Sequence, residues 1–207
     1  QQYGAIVDGR IKNPNHPSVY NVGYFGQGKY KALVEEGRTK YYRVWCLLIK
    51  RCYNKKQLEY NPSYKGCSVI KEWHNFQNFA KWFEENYNPE TMQGWHLDKD
   101  VFTKKDKIYS PKTCCFIPAE INTMLVSNSR FDDNVGIRKR KNVFQARYTK
   151  NKKEVNIGHF KTKELAIESR KSIIKNELLI ISNKWRKEIG EKVYEKLINY
   201  LQKEDEK

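Results

Sequence analysis

Long apolar runs are missing from this chain. No stretch approaches the roughly 20 consecutive apolar residues that a membrane-spanning helix needs, so no such helix is expected. Residues 1–20 are polar and carry Pro14 and Pro17, so no signal peptide is expected there. Acidic residues are scarce, 24 against 40 Lys and Arg, and the net charge is +16. Such an excess repels itself in isolation and favours a polyanionic partner, with nucleic acid the first candidate and a membrane surface the second. No CxxC pair occurs among Cys46, Cys52, Cys67, Cys114 and Cys115, and five is an odd number. Adjacent Cys114 and Cys115 on a strand would point to opposite faces. Buried free thiols in a reducing cytosol are the reading adopted, with a zinc site from Cys67 and one of that pair as the alternative.

What is present is enough to build cores. Hydrophobic residues make up 39% and aromatics 14% of 207 residues, which argues against general disorder and allows one large domain or two or three small modules. Turn formers crowd the first forty residues: Asn13-Pro14-Asn15-His16-Pro17, then Gly23, Gly26 and Gly28. Short β segments are expected between them at Val19–Val22 and Lys29–Leu33, with His16 exposed in a loop. Over residues 39–54, Tyr42, Trp45, Cys46, Ile49 and Tyr53 recur at helical spacing, and a second helix is expected from Asn75 to Asn86. Phe76, Phe79, Ala80 and Phe83 share a face of it. Their spacing is that of a core and not of a base-stacking platform. His74, at that helix's start, reads as a cap or core residue.

The stretch with chemical content is Trp95-His96-Leu97-Asp98-Lys99-Asp100, followed by Tyr109-Ser110-Pro111-Lys112-Thr113-Cys114-Cys115-Phe116-Ile117-Pro118-Ala119-Glu120-Ile121-Asn122. It reads as strand, loop, strand, helix, with Asp98 near the first strand's end and Asn122 about one turn into the helix. A hard cation fits between two such oxygen donors. Together with Asn13–Pro17, Arg51–Asn54, Tyr64–Cys67 and Glu72–Phe76, this stretch resembles the phage-borne ββα-metal (HNH) homing endonucleases over about residues 10–125. The resemblance implies Asp98 and Asn122 as ligands of Mg²⁺ or Mn²⁺, and DNA phosphodiester hydrolysis as the reaction. Lys99 stands where the family carries its general-base His, and Thr113 where it carries a structural Asn. His96, two residues before Asp98, shares its strand face and is the substitute base or ligand. Lys99 would need its pKa lowered by burial beside the cation to act as a base, and otherwise clamps the phosphate. Thr113 can brace the loop through its hydroxyl.

Residues 128–134 form a polar break, and the domain boundary is placed there: a nuclease-like domain over 1–127 and a second domain over 134–207. Three alternating segments follow, Val135–Arg140, Val143–Tyr148 and Val155–Phe160, separated by turns at Lys141-Asn142 and Lys150–Lys153, and then a helix capped by Thr162 with Ala166, Ile173, Ile174 and Leu178 on one face. The pattern Gly136-x-Arg138, Phe144-x-Ala146, Gly158-x-Phe160-x-Thr162-x-Glu164 resembles the AP2 DNA-binding domain, with Leu165 where that family places Glu. From Arg130 to Lys161 there are ten Lys/Arg against three Asp/Glu. Arg138, Lys139, Arg140, Gln145 and Arg147 are the expected DNA contacts on the sheet, Arg suited to guanine and Gln to adenine. Lys150, Lys152 and Lys153 are expected on phosphates. A last helix, about Asn183 to Gln202, repeats Trp185, Ile189, Val193, Leu197 and Leu201 every four residues and either packs on the domain or dimerises two chains weakly.

The expected architecture is therefore α+β, a ββα-metal module followed by a three-stranded antiparallel sheet with one helix and a C-terminal helix. The expected function is a cytoplasmic, phage or mobile-element DNA endonuclease acting on double-stranded DNA, without membrane association. Two alternatives stand beside it: a catalytically inactive DNA-binding repressor or accessory factor, and a protein that grips a host nucleoprotein or RNA.

Overall fold

The computed structural model describes residues 13–99, 101, 106–127, 135–150 and 152–202. The chain mixes helix and sheet, and contacts divide it into two compact units: Gln1–Pro89 with Phe102–Cys115, and Glu90–Val101 with Phe116–Lys207. The expected boundary at 128–134 lies outside the described residues, as does Asp100.

The first unit is built on two helices, α1 (Lys40–Tyr53) and α3 (Phe76–Asn86), with a short α2 (Lys55–Tyr60) between them. The apolar stripe of α1 buries Tyr42, Trp45, Leu48, Ile49 and Cys52; Cys46 and Tyr53, counted in the stripe from spacing, sit at its half-exposed edges. α3 buries Phe76, Phe79, Ala80, Trp82 and Phe83. Their rings interlock: Phe76 lies 5.4 Å from Trp45 and edge-on to Tyr42 at 5.3 Å, and Trp73 lies 4.7 Å from Trp82. Edge-to-face and offset contacts of this kind add to the area they bury. The polar tip of Trp45 is satisfied, as its Nε1 donates to the Trp73 carbonyl at 2.7 Å. The aromatic density is core, as the spacing predicts.

The loop over residues 13–39 is pinned to the start of α3. Asn75 caps the helix by accepting from Gln77 N at 2.9 Å. Gly26, at φ +72°, passes so close that a Cβ there would lie 2.1 Å from Asn75 Oδ1, so only glycine fits. Buried Gln77 imitates a peptide group, its amide accepting from Tyr30 N and donating to Tyr30 O, both at 3.0 Å. The two β segments expected here do not form. Val19 instead closes onto Gly23 through Tyr20 and Asn21, both at positive φ, and the first true strands are β1 (Leu33–Val34) and β2 (Gly37–Arg38). Backbone bonds within this turn, and from Tyr24 to His74 and Phe76, take the place of a ladder. His16 is exposed, and His74 is half-buried, with Nε2 3.0 Å from Val69 O and 3.3 Å from the Tyr53 hydroxyl. The unit closes with β3 (Ser68–Val69) pairing parallel to β5 (Ile108–Tyr109).

In the second unit β4 (His96–Asp98) pairs with β6 (Cys115–Ile117), which enters α4 (Ala119–Ser127) directly through Pro118. A three-stranded antiparallel sheet follows in the order β7 (Ile137–Arg140), β8 (Val143–Lys150), β9 (Lys153–Phe160). Its two links are two-residue turns, with Lys141 and Lys152 at positive φ. A bulge between Ala146 and Arg147 shifts the β8–β9 register. Ala146 and Tyr148 turn one sheet face onto α5 (Lys163–Gln202), which buries Ala166, Arg170, Ile174, Leu178 and Ile181. Thr162 caps α5, its hydroxyl accepting from Leu165 N at 3.2 Å.

The break expected near residues 178–183 is absent. α5 runs through fully buried Ser182 and is interrupted only at Gly190, at φ 76° and ψ 158°. Ser182 is small enough to lie in the packed seam without ending the helix, whereas Gly190 alone supplies a left-handed residue. No helix among the described residues is long and apolar enough to cross a membrane.

Candidate functional site

Because β6 is paired with β4 and passes straight into α4, the first turn of the helix returns beside the first strand. Ile121, Met124 and Leu125 fill the side of α4 that faces the core, which leaves half-buried Asn122 toward β4. There Asn122 Nδ2 lies 2.8 Å from His96 Nδ1. An amide nitrogen only donates, so with the amide in this orientation Nδ1 accepts. Asp98 ends the same strand, half-buried, and its Oδ1 accepts from Val101 N at 3.0 Å, which fixes the turn that follows. His96, Asp98 and Asn122 are thus carried by one strand end and one helix turn of a single unit.

Lys99 and Thr113 complete the expected set. Lys99 is buried, 7% exposed, while His96 is exposed, so the two side chains do not share a solvent-facing surface. Thr113 belongs to the other unit, where its hydroxyl accepts from Ser110 N at 3.0 Å and donates to Ile108 O at 2.6 Å. Its hydroxyl braces the loop between β5 and β6.

The corner is anchored by residues that the motif reading passed over. Glu120 accepts from Lys184 Nζ at 2.7 Å and from Trp185 Nε1 at 3.0 Å, and Trp185 meets Trp95 edge-on at 6.0 Å. Those two hydrogen bonds, Lys184's first, hold the Glu120 carboxyl below its usual range. The sequence signal was available, since Trp95 and Trp185 flank the motif and the last helix, but their pairing is a tertiary fact. Among the described residues no three His, Cys, Asp or Glu side chains gather as a metal-binding group, so a cation here would rest on Asp98, Asn122 and water. All five cysteines are free thiols.

The second feature is the outer face of the β7–β9 sheet. Arg138 pairs across from Gln145, and Gln145 from His159, so these side chains share a face with Arg140 and Arg147, while Lys139 pairs with Phe144 toward the other side. Arg138, Lys139, Arg140, Lys152, Lys153 and His159 are exposed. Two expected DNA contacts are already engaged. The Lys150 ammonium is held by Glu177 at 2.6 Å, and the Arg147 side chain, 12% exposed, is ion-paired with Glu154. Glu154 also lies 3.8 Å from Arg138, and Gln145 Nε2 donates to Asn156 Oδ1 at 3.0 Å. Glu154, Asn156 and His159 were not singled out from the sequence. Only the strand register brings them onto this face.

The chain has no match among protein-family models, curated proteins or solved structures.

Proposed function

We propose that the chain is a double-stranded DNA endonuclease that holds one divalent cation at Asp98 and Asn122 and grips DNA with the outer face of the β7–β9 sheet. The reading rests on the ββα-metal (HNH) and AP2 resemblances of the sequence. The observation that carries it is the hydrogen bond joining His96 on β4 to Asn122 on α4, beside Asp98. The donors suit Mg²⁺ or Mn²⁺: a carboxylate and an amide oxygen are hard ligands. A cation bound there would neutralise the scissile phosphate and assist the leaving 3′ oxygen. Asn122 directs its nitrogen to His96, which leaves its oxygen free of that bond and available to a cation.

That same hydrogen bond sets the role of His96. With Nδ1 accepting, the ring carries its proton on Nε2 and cannot serve as a base through that atom; it positions Asn122 instead. A flipped amide would free Nε2 as a base and spend the Asn122 oxygen on His96. With the amide as it stands we assign Asn122 as the ligand and His96 as the residue that positions it.

The test is incubation of the purified chain with duplex DNA under Mg²⁺, Mn²⁺ or EDTA. EDTA-sensitive nicks or fragments that disappear in Asp98→Ala, with duplex binding retained, are expected. Cleavage that survives Asp98→Ala overturns the assignment. A second reading, a DNA-binding protein without catalysis, is favoured by Lys99 and Thr113 standing in place of His and Asn and by the Val101 N–H that occupies Asp98 Oδ1. Tight binding without cuts under every metal would establish it.

A further inference from the structure

Between Val135 and Lys161 the chain carries nine Lys or Arg and a single acidic residue, Glu154. That carboxylate sits on the outer face of the sheet. It engages an arginine from each of the other two strands, Arg147 on β8 and Arg138 on β7. An acid on a surface meant for a polyanion opposes binding unless it has a second task. We infer that Glu154 is a selectivity element of this face: it withholds Arg138 and Arg147 from the phosphate backbone, so that sequence-independent affinity stays low. The inference rests on the reading of this face as a duplex-DNA surface.

The geometry separates two kinds of contact. Arg140, Lys152 and Lys153 stand exposed at the ends and turns of the sheet, where phosphates would be met. Toward the middle, Gln145 and Asn156 are joined amide to amide, and Glu154 holds the two arginines beside them. A carboxylate repels phosphate at any sequence but accepts from a base edge that donates, such as the cytosine amino group. Once Glu154 is so engaged, exposed Arg138 is released for a neighbouring base. Arg147 is 12% exposed and remains in place as the support that keeps Glu154 upright.

The experiment measures binding of the full chain to a labelled random-sequence duplex over a salt series. Glu154→Gln keeps the shape and an acceptor for Arg147 but removes the charge. It should bind the random duplex about ten-fold tighter at moderate salt, with a log–log salt slope steeper by about one, the mark of one added phosphate contact. Arg138→Gln in the wild-type background should change random-duplex affinity by less than about two-fold, because that arginine is already withheld, yet in Glu154→Gln it should cancel the gain. Arg140→Gln, on the same strand, should weaken binding several-fold. Glu154→Asp, which retains the charge, guards against loss of folding and should behave as wild type. An unchanged slope in Glu154→Gln, while the wild type binds with clear salt dependence, overturns the inference and leaves the DNA reading standing. A wild type that does not bind duplex, or that prefers RNA, overturns both.

Discussion

The Thr113 hydroxyl gives the sharpest handle on how the β5–β6 loop is held. It accepts from Ser110 N at 3.0 Å, donates to Ile108 O at 2.6 Å and touches Ser110 Oγ at 3.0 Å, in a side chain only 8% exposed. Thr113→Val keeps the outline of the side chain and removes those bonds. A buried donor or acceptor left unpaired costs about 1–3 kcal/mol, and two backbone groups lose a partner, one N–H and one C=O. Part of this is offset by the added methyl, so a net loss of about 2–3 kcal/mol is expected. For a chain of this size that corresponds to a fall in Tm of roughly 4–12 °C. Urea unfolding of wild type, Thr113→Val and Thr113→Ser separates hydroxyl from packing, since Ser retains every bond and loses only a methyl. Native-state hydrogen exchange at the Ser110 amide should rise in Val and stay near wild type in Ser. A Thr113→Val loss under about 0.5 kcal/mol, or a Ser variant as damaged as Val, would refute the bracing role.

Other perturbations test the packing and the charges. Phe76 is fully buried against Trp45 and Tyr42, so Phe76→Ala should cost about 3–5 kcal/mol in urea unfolding, and a cost below about 2 would mean this aromatic core relaxes freely. Gly136→Ala and Gly190→Ala form a matched pair, both at φ near +75°. A Cβ on Gly136 would lie 2.2 Å from Arg147 O, and one on Gly190 would meet nothing within 4 Å. The second should therefore cost only the left-handed penalty of about 1–2 kcal/mol, and the first clearly more; equal losses in thermal scans would contradict the close approach. Glu120→Gln should lose about 1 kcal/mol at neutral pH, a figure lowered because the carboxylate is 31% exposed. Lys184 and Trp185 hold its carboxyl below the usual range, so this stabilisation is present above the ordinary carboxylate value and lost as pH falls through the depressed one. Wild type and Glu120→Gln should then converge in acid, and a gap that persists there would point to shape and not charge.

Helices with dense, periodic apolar stripes were legible from sequence. α1, α3 and the first part of α5 begin where the caps and stripes place them, Asn75 and Thr162 included. The alternating strands and the turn at Lys141-Asn142 were legible for the same reason, a period of two bounded by turn formers, while the second turn, read as Lys150–Lys153, is shorter because the strands extend to Lys150 and from Lys153. The first forty residues were not. Val19–Val22 has strand-like composition, yet it turns on itself: Val19 and Gly23 bond each other's backbone, and the next residue, Tyr24, is taken up by the backbone of His74 and Phe76, a pairing that no local spacing announces. The Asn183 helix start failed because the chain passes that point in helical conformation and leaves it at Gly190 instead.

Within the candidate site the division is similar. The motif spacing put Asp98 on a strand end and Asn122 one turn into a helix, and both stand there. It could not say that Asn122 reaches His96, that Lys99 lies buried, or that Glu154 and Glu177 claim Arg147 and Lys150. By itself the sequence determined the charge, the helical stripes, the strand alternation and the positions of the oxygen donors, because each depends on composition or on spacing along one element. Only the tertiary structure decided which donors face one another and which cations are already paired, because a hydrogen bond or ion pair is set by distances of about 3 Å between residues far apart in the chain.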